Sequence, residues 1–312
     1  MPGASTRRAA SIGAPATAIG GPATATDGPT ATDGPTATAT ASGAAATRWL
    51  SRIERFDVVG STNDVVAGWL GEGTPEVCVA IAAEQSAGRG RNGRTWNAPA
   101  GASLLCSIGF RPTWLEPNHA WRLGAIVSLA MAAAADEVAR QRPGTVRLKW
   151  PNDLVIVDRA TGAAQKVAGV LGETEGLGTA DPRAVIGIGV NVDWARADFP
   201  GELASDMTSL SEVAGGRSIG REALATAFLK RLEPLAKSLR VGKFAADTWR
   251  ERQLTNGMAV RLTWPNGTSE TVTAVDVDPD SGALLIRSLD GSGPLKPVLV
   301  GEIRHLRFGG VV

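Results

Sequence analysis

The run "QSAGRGRNGRTW", residues 85–96, decides how this chain is read. Gly88, Gly90 and Gly93 satisfy G-x-G-x-x-G, the spacing of a dinucleotide-binding turn, yet Arg89, Arg91 and Arg94 are interleaved with them. Such a turn needs a strand before it and a helix after it, so that the helix N-terminus can hold a pyrophosphate. "EVCVAIAAEQ" (76–85) supplies the strand. No helix follows, because Trp96, Pro99 and Gly101 stand where it should begin, and the next acidic residue is Glu116. The dinucleotide reading fails on context. What remains is a glycine-arginine loop whose backbone permits close approach and whose guanidinium groups are forked donors for phosphate or carboxylate oxygens. Three like charges so close together repel unless an anion sits among them.

That local charge stands out because the chain as a whole is nearly neutral. Formal charge is +1 over 312 residues, with 43% hydrophobic content, so no global field favours a polyanion such as DNA. Cys78 and Cys106 lie in apolar runs far apart, which fits core packing and offers neither a disulfide framework nor a metal site. The two histidines, His119 and His305, have no acidic or cysteine neighbours at ligand spacing and read as structural. The longest apolar run, "GAIVSLAMAAAA" (124–135), is shorter than the roughly 20 residues a bilayer requires. The expectation is a cytoplasmic protein.

Residues 1–46 form an Ala/Thr/Gly/Pro tract without Leu or aromatics, with "TDGPTA" twice in tandem (26–37). Too apolar-poor to offset ordering entropy, it reads as a disordered tail, and no DNA-binding domain is expected from it. Globular composition begins at Trp49, and 47–254 read as one mixed domain. "STNDVVAGWL" (61–70) is a short helix with Ser61 or Thr62 as N-cap. Strands are expected at 76–85, 102–110, 145–150, 154–157, 166–173 and 184–192, a long helix at 118–141, and another at 221–240 bent or divided near Pro234. Residues 255–312, short strands separated by turns, suggest a small C-terminal β-barrel.

"GRGRNGRTW" resembles the signature loop of biotin protein ligases, and other segments agree in order: "STN" (61–63), "KWPNDL" (149–154), "KVAGVLGE" (166–173) and "GIGVNV" (187–192). The resemblance covers roughly 49–310. It departs at Asn92, where many relatives carry another arginine. It implies an α+β fold, a class II synthetase-like mixed sheet flanked by helices, with the small barrel appended, and a monofunctional enzyme without an N-terminal DNA-binding domain. The reaction implied joins biotin to ATP with Mg²⁺ as biotinyl-5′-AMP. Biotin then passes to a lysine of the biotin carboxyl carrier domain of acetyl-CoA or propionyl-CoA carboxylase, with neither DNA nor membrane as partner.

The resemblance also distributes roles. Lys166 is expected to bridge biotin's carboxylate and the α-phosphate, since an ammonium on an apolar strand is costly to desolvate without an anion. By itself, the sequence favours a strand-end lysine reaching for solvent. Arg89 and Arg91 are assigned to the carboxylate and phosphates, and Arg94 to the phosphate tail. Ser61, Thr62, Asn63 and Gln85 are assigned to biotin's ureido ring, and Gly88, Gly90 and Gly169 to close backbone approach. Asn92, Lys149, Asn152 and Asn191 go to the nucleotide, and Trp96 either stacks on adenine or packs beneath the loop. Asp153 either deprotonates the incoming amine or orients Mg²⁺; a locally satisfied Asn-Asp turn is the plainer reading. No metal site of the protein's own is expected. Ordering of residues 88–97 on ligand binding would shield the adenylate. The competing readings are a lipoate–protein ligase and a non-catalytic biotin sensor.

Overall fold

The computed structural model describes residues 49–305; the expected tail over 1–46 lies outside them. Seven strands form the first sheet: β1 (Arg52–Val59), β2 (Cys78–Gln85), β3 (Ser103–Phe110), β4 (Arg147–Lys149), β5 (Asp153–Val157), β6 (Ala164–Glu175) and β7 (Arg183–Asn191). Their order is β1-β2-β3-β7-β6-β5-β4, and only the β1–β2 pair is parallel. The helices are α1 (Thr62–Gly71), α2 (Trp121–Val138), α3 (Leu210–Val213), α4 (Arg221–Arg240) and α5 (Ala246–Glu251).

The two-residue period of the strands decides where everything else goes. On β3, Leu104, Cys106, Ile108 and Phe110 face one way with Ile186, Ile188 and Val190 of β7 and Ala168 and Val170 of β6, all buried in the main core with α2 and α4. Many of the alternate positions are small: Ser107 and Gly109 on β3, Gly187 and Gly189 on β7, Gly169 on β6, beside Leu105, Leu171 and Val185. At one end of this second face α1 packs down. A Cβ on Gly109 would come within 2.7 Å of Val66 and 2.6 Å of Cys78 Sγ. The other end is left open as a cavity. Both cysteines are buried thiols, pushed up to about 11 at Cys78 and about 12 at Cys106 chiefly by desolvation, as their apolar settings suggested.

α4 is one helix through Pro234 and is not divided there, the alternative to a bend that the sequence offered. The proline ring is exposed while Leu232, Ala236 and Leu239 stay buried, so one apolar stripe survives on the core side. β1 was not anticipated; its charged, half-exposed sequence carries no clean alternation, and it is an edge strand whose register comes from β2.

β8 (Met258–Thr263), β9 (Ser269–Val277), β10 (Leu284–Ser288), β11 (Lys296–Val298) and β12 (Glu302–His305) make a five-stranded antiparallel sheet, order β11-β10-β9-β8-β12. The short strands expected over 255–312 are present as this antiparallel sheet, and no ladder joins β11 to β12 among the described residues. Val260, Leu262, Val272 and Ile286 extend the main core. Trp150 donates its indole N–H to the Gly282 carbonyl at 3.1 Å, and Trp121 packs where a Gly282 side chain would stand. No helix among the described residues is long and apolar enough to cross a membrane.

Candidate active site

The glycine face of β6 and β7 floors a cavity of about 1140 Å³, walled by the start of α1, the 86–97 loop and β12. The glycines are required by what lies on them. A Cβ on Gly189 would sit 2.6 Å from the Trp96 ring, and one on Gly187 would sit 2.2 Å from Asn63 Oδ1. A Cβ on Gly169 would sit 3.0 Å from Lys166 Nζ and 3.1 Å from the Trp96 ring. Trp96 thus packs on the glycine floor of the cavity.

The loop closes on itself instead of launching a helix. Trp96 N–H donates to the Gly88 carbonyl at 2.9 Å and Gly90 N–H to the Arg94 carbonyl at 2.7 Å, around a 3-10 turn at Arg91–Gly93. Gly88 faces the Trp96 carbonyl with no room for a side chain. The arginine repulsion is relieved by the protein's own carboxylates. Arg89 makes a two-pronged contact with Asp64 at 2.7 and 2.8 Å and reaches Glu173 at 3.2 Å. Hydrogen bonding to Arg89 holds the Asp64 carboxyl below its usual range against the opposing effect of burial. Arg94 and Asn92 both donate to Glu302 of β12, at 2.5 and 2.8 Å. Burial would raise the Glu302 carboxyl, but these two donors hold it low. Arg91 is different: half-buried, it has one hydrogen bond, to Asn152 Oδ1 at 3.3 Å, and no ion pair among the described residues. Desolvation pushes its pKa down.

Lys166 sits at the centre. β6 carries a bulge opposite Leu154 and Val155, so Val167 and Ala168 both turn into the core while Lys166 and Gly169 face the cavity. Its ammonium lies 2.7 Å from Asp153 Oδ1, with the side chains 30% and 22% exposed. The solvent-reaching lysine and the self-satisfied Asn-Asp turn are therefore both set aside; each residue is the other's partner. Asn152 is pinned to β6, donating to the Val170 carbonyl at 2.8 Å while its own carbonyl accepts from Val170 at 2.9 Å. Lys149 lines the same region, half-buried, with its pKa pushed down by desolvation and no hydrogen-bond partner among the described residues.

The opposite end is closely wired, mostly through uncharged side chains. Ser61 occupies the N-cap position but makes no capping bond. Gln85 of β2 caps α1 instead, its Oε1 accepting from Thr62 N at 2.7 Å and Thr62 Oγ1 at 2.8 Å. Ser107 Oγ lies 2.7 Å from Thr62 Oγ1 and 2.6 Å from Asn63 Oδ1, and Asn63 Nδ2 donates to Glu173 at 2.7 Å.

This arrangement can hold a small neutral polar group at one end and a polyanion at the other, with one ammonium between them. A profile of the Biotin/lipoate A/B protein ligase family matches residues 56–191. The chain is 36% identical over 260 residues to the biotin–[acetyl-CoA-carboxylase] ligase of Mycobacterium tuberculosis, covering 81% of this chain and 90% of that relative. The chain belongs to the biotin protein ligase family. The bifunctional ligase/repressor BirA of Escherichia coli is 32% identical over 248 residues, 79% of this chain and 71% of the relative. The biotin protein ligase of Aquifex aeolicus, solved with biotin and ATP, matches with a TM-score of 0.65 at 26% identity, covering 83% of this chain and all 100% of that one.

Against this ligase fold, most of the anticipated residues gather at one cavity: Ser61, Thr62, Asn63, Gln85, Arg89, Gly90, Arg91, Arg94, Trp96, Lys149, Asn152, Asp153, Lys166 and Gly169 all line it. Gly88, Asn92 and Asn191 are not among the lining residues. Asn191 is buried and donates to the Thr208 carbonyl at 3.1 Å, tying β7 to the 207–209 segment. Sequence reasoning missed Ser107, Glu173, Glu302 and His305. His305, read as structural, lines the cavity, its imidazole pushed down to about 4 by burial and by Lys149. The alternation of Ile with Gly in "GIGVN" was the one available signal for the cavity floor.

Proposed function

We propose that this ligase activates biotin with ATP to biotinyl-5′-AMP and passes the biotinyl group to one lysine of a biotin carboxyl carrier domain. The observation that carries the reading is a pair of half-buried cations, Arg91 and Lys149, lining one end of the cavity without a carboxylate partner among the described residues. Leaving charges partly desolvated and unpaired is costly, and a triphosphate offsets that cost. The Aquifex relative's complex with biotin and ATP agrees in ligand class.

In this reading a carboxylate oxygen of biotin attacks the α-phosphorus, the bond to the β-phosphate oxygen breaks, and pyrophosphate leaves. An ammonium has three N–H donors. Lys166 spends one on Asp153, leaving two to draw carboxylate and α-phosphate together against their repulsion. Arg91 takes charge developing on the phosphate. The carrier lysine's amine then attacks the anhydride carbonyl, AMP leaves, and Asp153, held beside Lys166, accepts the amine's proton. Mg²⁺ would be held mainly by the nucleotide's phosphates, neutralising their charge. Asp153 is the carboxylate placed to share it, and no group of three or more acidic, His or Cys side chains converges among the described residues. Trp96 must lift from the glycine floor for a bicyclic ring to enter, and the loop then closes over the ligand to exclude water.

The direct check is mass spectrometry of a biotin carboxyl carrier domain incubated with the protein, biotin and MgATP, with lipoate in a parallel arm. One biotinyl group on one lysine is the expected product. Lipoyl transfer, or tight biotin binding with an unmodified carrier, would replace this reading with one of its rivals.

A further inference from the structure

Four oxygens run in a chain at the α1 end of the cavity: Gln85 Oε1, Thr62 Oγ1, Ser107 Oγ and Asn63 Oδ1. They are joined by contacts of 2.8, 2.7 and 2.6 Å. Each contact needs one hydrogen, and the supply can be counted. Gln85 must present oxygen, because the same Oε1 accepts the fixed backbone N–H of Thr62 at 2.7 Å. Asn63 must present oxygen to Ser107, because its Nδ2 is directed at the Glu173 carboxylate 2.7 Å away, and an ionised carboxylate only accepts. Both ends of the chain are thus acceptors. The hydroxyls of Thr62 and Ser107 supply two hydrogens for three contacts.

The shortfall is imposed by Glu173. If the Asn63 amide turned over, its NH₂ would donate to Ser107 and all three contacts would be filled, but its oxygen would then face a carboxylate. Glu173 is itself held in place, with Arg89 Nη2 at 3.2 Å from both of its oxygens. Ser107 is fully buried, so the missing hydrogen has to come from the cavity side of the chain. Thr62, Asn63 and Gln85 all line the cavity.

We propose that Glu173 is a positioning residue that sets the hydrogen-bond polarity of this end of the cavity, making it an acceptor site for N–H groups of the ligand. The inference rests on the biotin reading above, and extends it by saying why a cyclic urea, which brings N–H donors, is preferred over a ring of the same shape without them. Glu173 touches neither reacting atoms nor ligand in this scheme; it acts through Asn63.

The test is calorimetric binding of biotin and of an analogue methylated on a ureido nitrogen, to the wild type, Glu173→Gln, Asn63→Ala and the double variant. Wild type should strongly prefer biotin. Glu173→Gln frees the Asn63 amide to turn, so biotin affinity should fall about tenfold and the preference over the methylated analogue should shrink by a similar factor. The two substitutions should be non-additive, as expected for groups acting through one contact. Glu173→Asp, which keeps the charge, should restore part of the preference. Unchanged discrimination in Glu173→Gln overturns the proposal, as does equal weakening of both ligands with additive effects, which marks a merely structural role. If wild type bound biotin normally in those cases, the functional reading would stand and only this inference would fall. Wild-type protein indifferent to biotin would remove both.

Discussion

The two ends of the cavity are built on opposite principles. At the α1 end the cavity-facing Thr62, Asn63 and Gln85 are uncharged and bonded into one network, with Gln85 capping the helix, Ser107 between Thr62 and Asn63, and the Arg89–Glu173 pair behind Asn63. At the β12 end Arg91 and Lys149 are half-buried cations lacking a carboxylate partner among the described residues. The first end selects by geometry and hydrogen-bond direction, which salt leaves alone. The second attracts by charge, which salt screens. Lys166, paired with Asp153, stands where the two meet.

That contrast can be broken by experiment. Arg91→Ala should raise the nucleotide KM by about 10- to 100-fold, the scale of lost charged hydrogen bonds. The KM for biotin should move far less, and added salt should narrow the gap between variant and wild type. An Arg91→Ala defect in biotin KM alone would mean the ends are wrongly assigned.

A smaller effect concerns acid. Burial and Lys149 lower the His305 pKa from 6.5 to about 4. Between those values the unfolded chain binds a proton that the folded one refuses, so stability falls as pH drops through this window and levels off below it. From pH 7 to pH 5.5 the loss is about 1 kcal/mol. His305→Gln should flatten that part of the melting-temperature profile; an unchanged slope would show that the His305 imidazole is not held neutral by its burial.

Smallest of the three, Thr62→Val removes one neutral hydroxyl and should weaken biotin by about fivefold, near 1 kcal/mol. Its effect should be the same at low and high salt, in contrast to Arg91→Ala. Salt dependence at Thr62 would blur the distinction between the two ends.

Much of the fold was legible because strand alternation is local. The strands at 76–85, 102–110, 166–173 and 184–192 and the long helix are present, give or take a few terminal residues. β1 escaped because a charged edge strand takes its register from a neighbour and not from its own pattern. The site was legible as a list of residues and opaque as a set of pairings. Nothing in "GRGRNGRTW" shows that Arg89 is claimed by Asp64 and Glu173, or that Arg94 meets Glu302, 208 positions away. Such pairs form only once the sheet brings distant segments together. Lys166 and Asp153 are close in sequence, yet their meeting depends on a bulge that alternation alone would not place. Asn191 likewise shows a pairing the motif does not reveal, its amide donating to the Thr208 carbonyl 17 positions away.

The most direct measurement is biotin-dependent exchange of labelled pyrophosphate into ATP, comparing wild type with Lys166→Ala. If Lys166 joins the two ends, wild type exchanges and Lys166→Ala loses at least about 100-fold, some 3 kcal/mol of transition-state stabilisation, while still folding and binding biotin. Exchange near the wild-type rate in a folded Lys166→Ala protein would contradict the account.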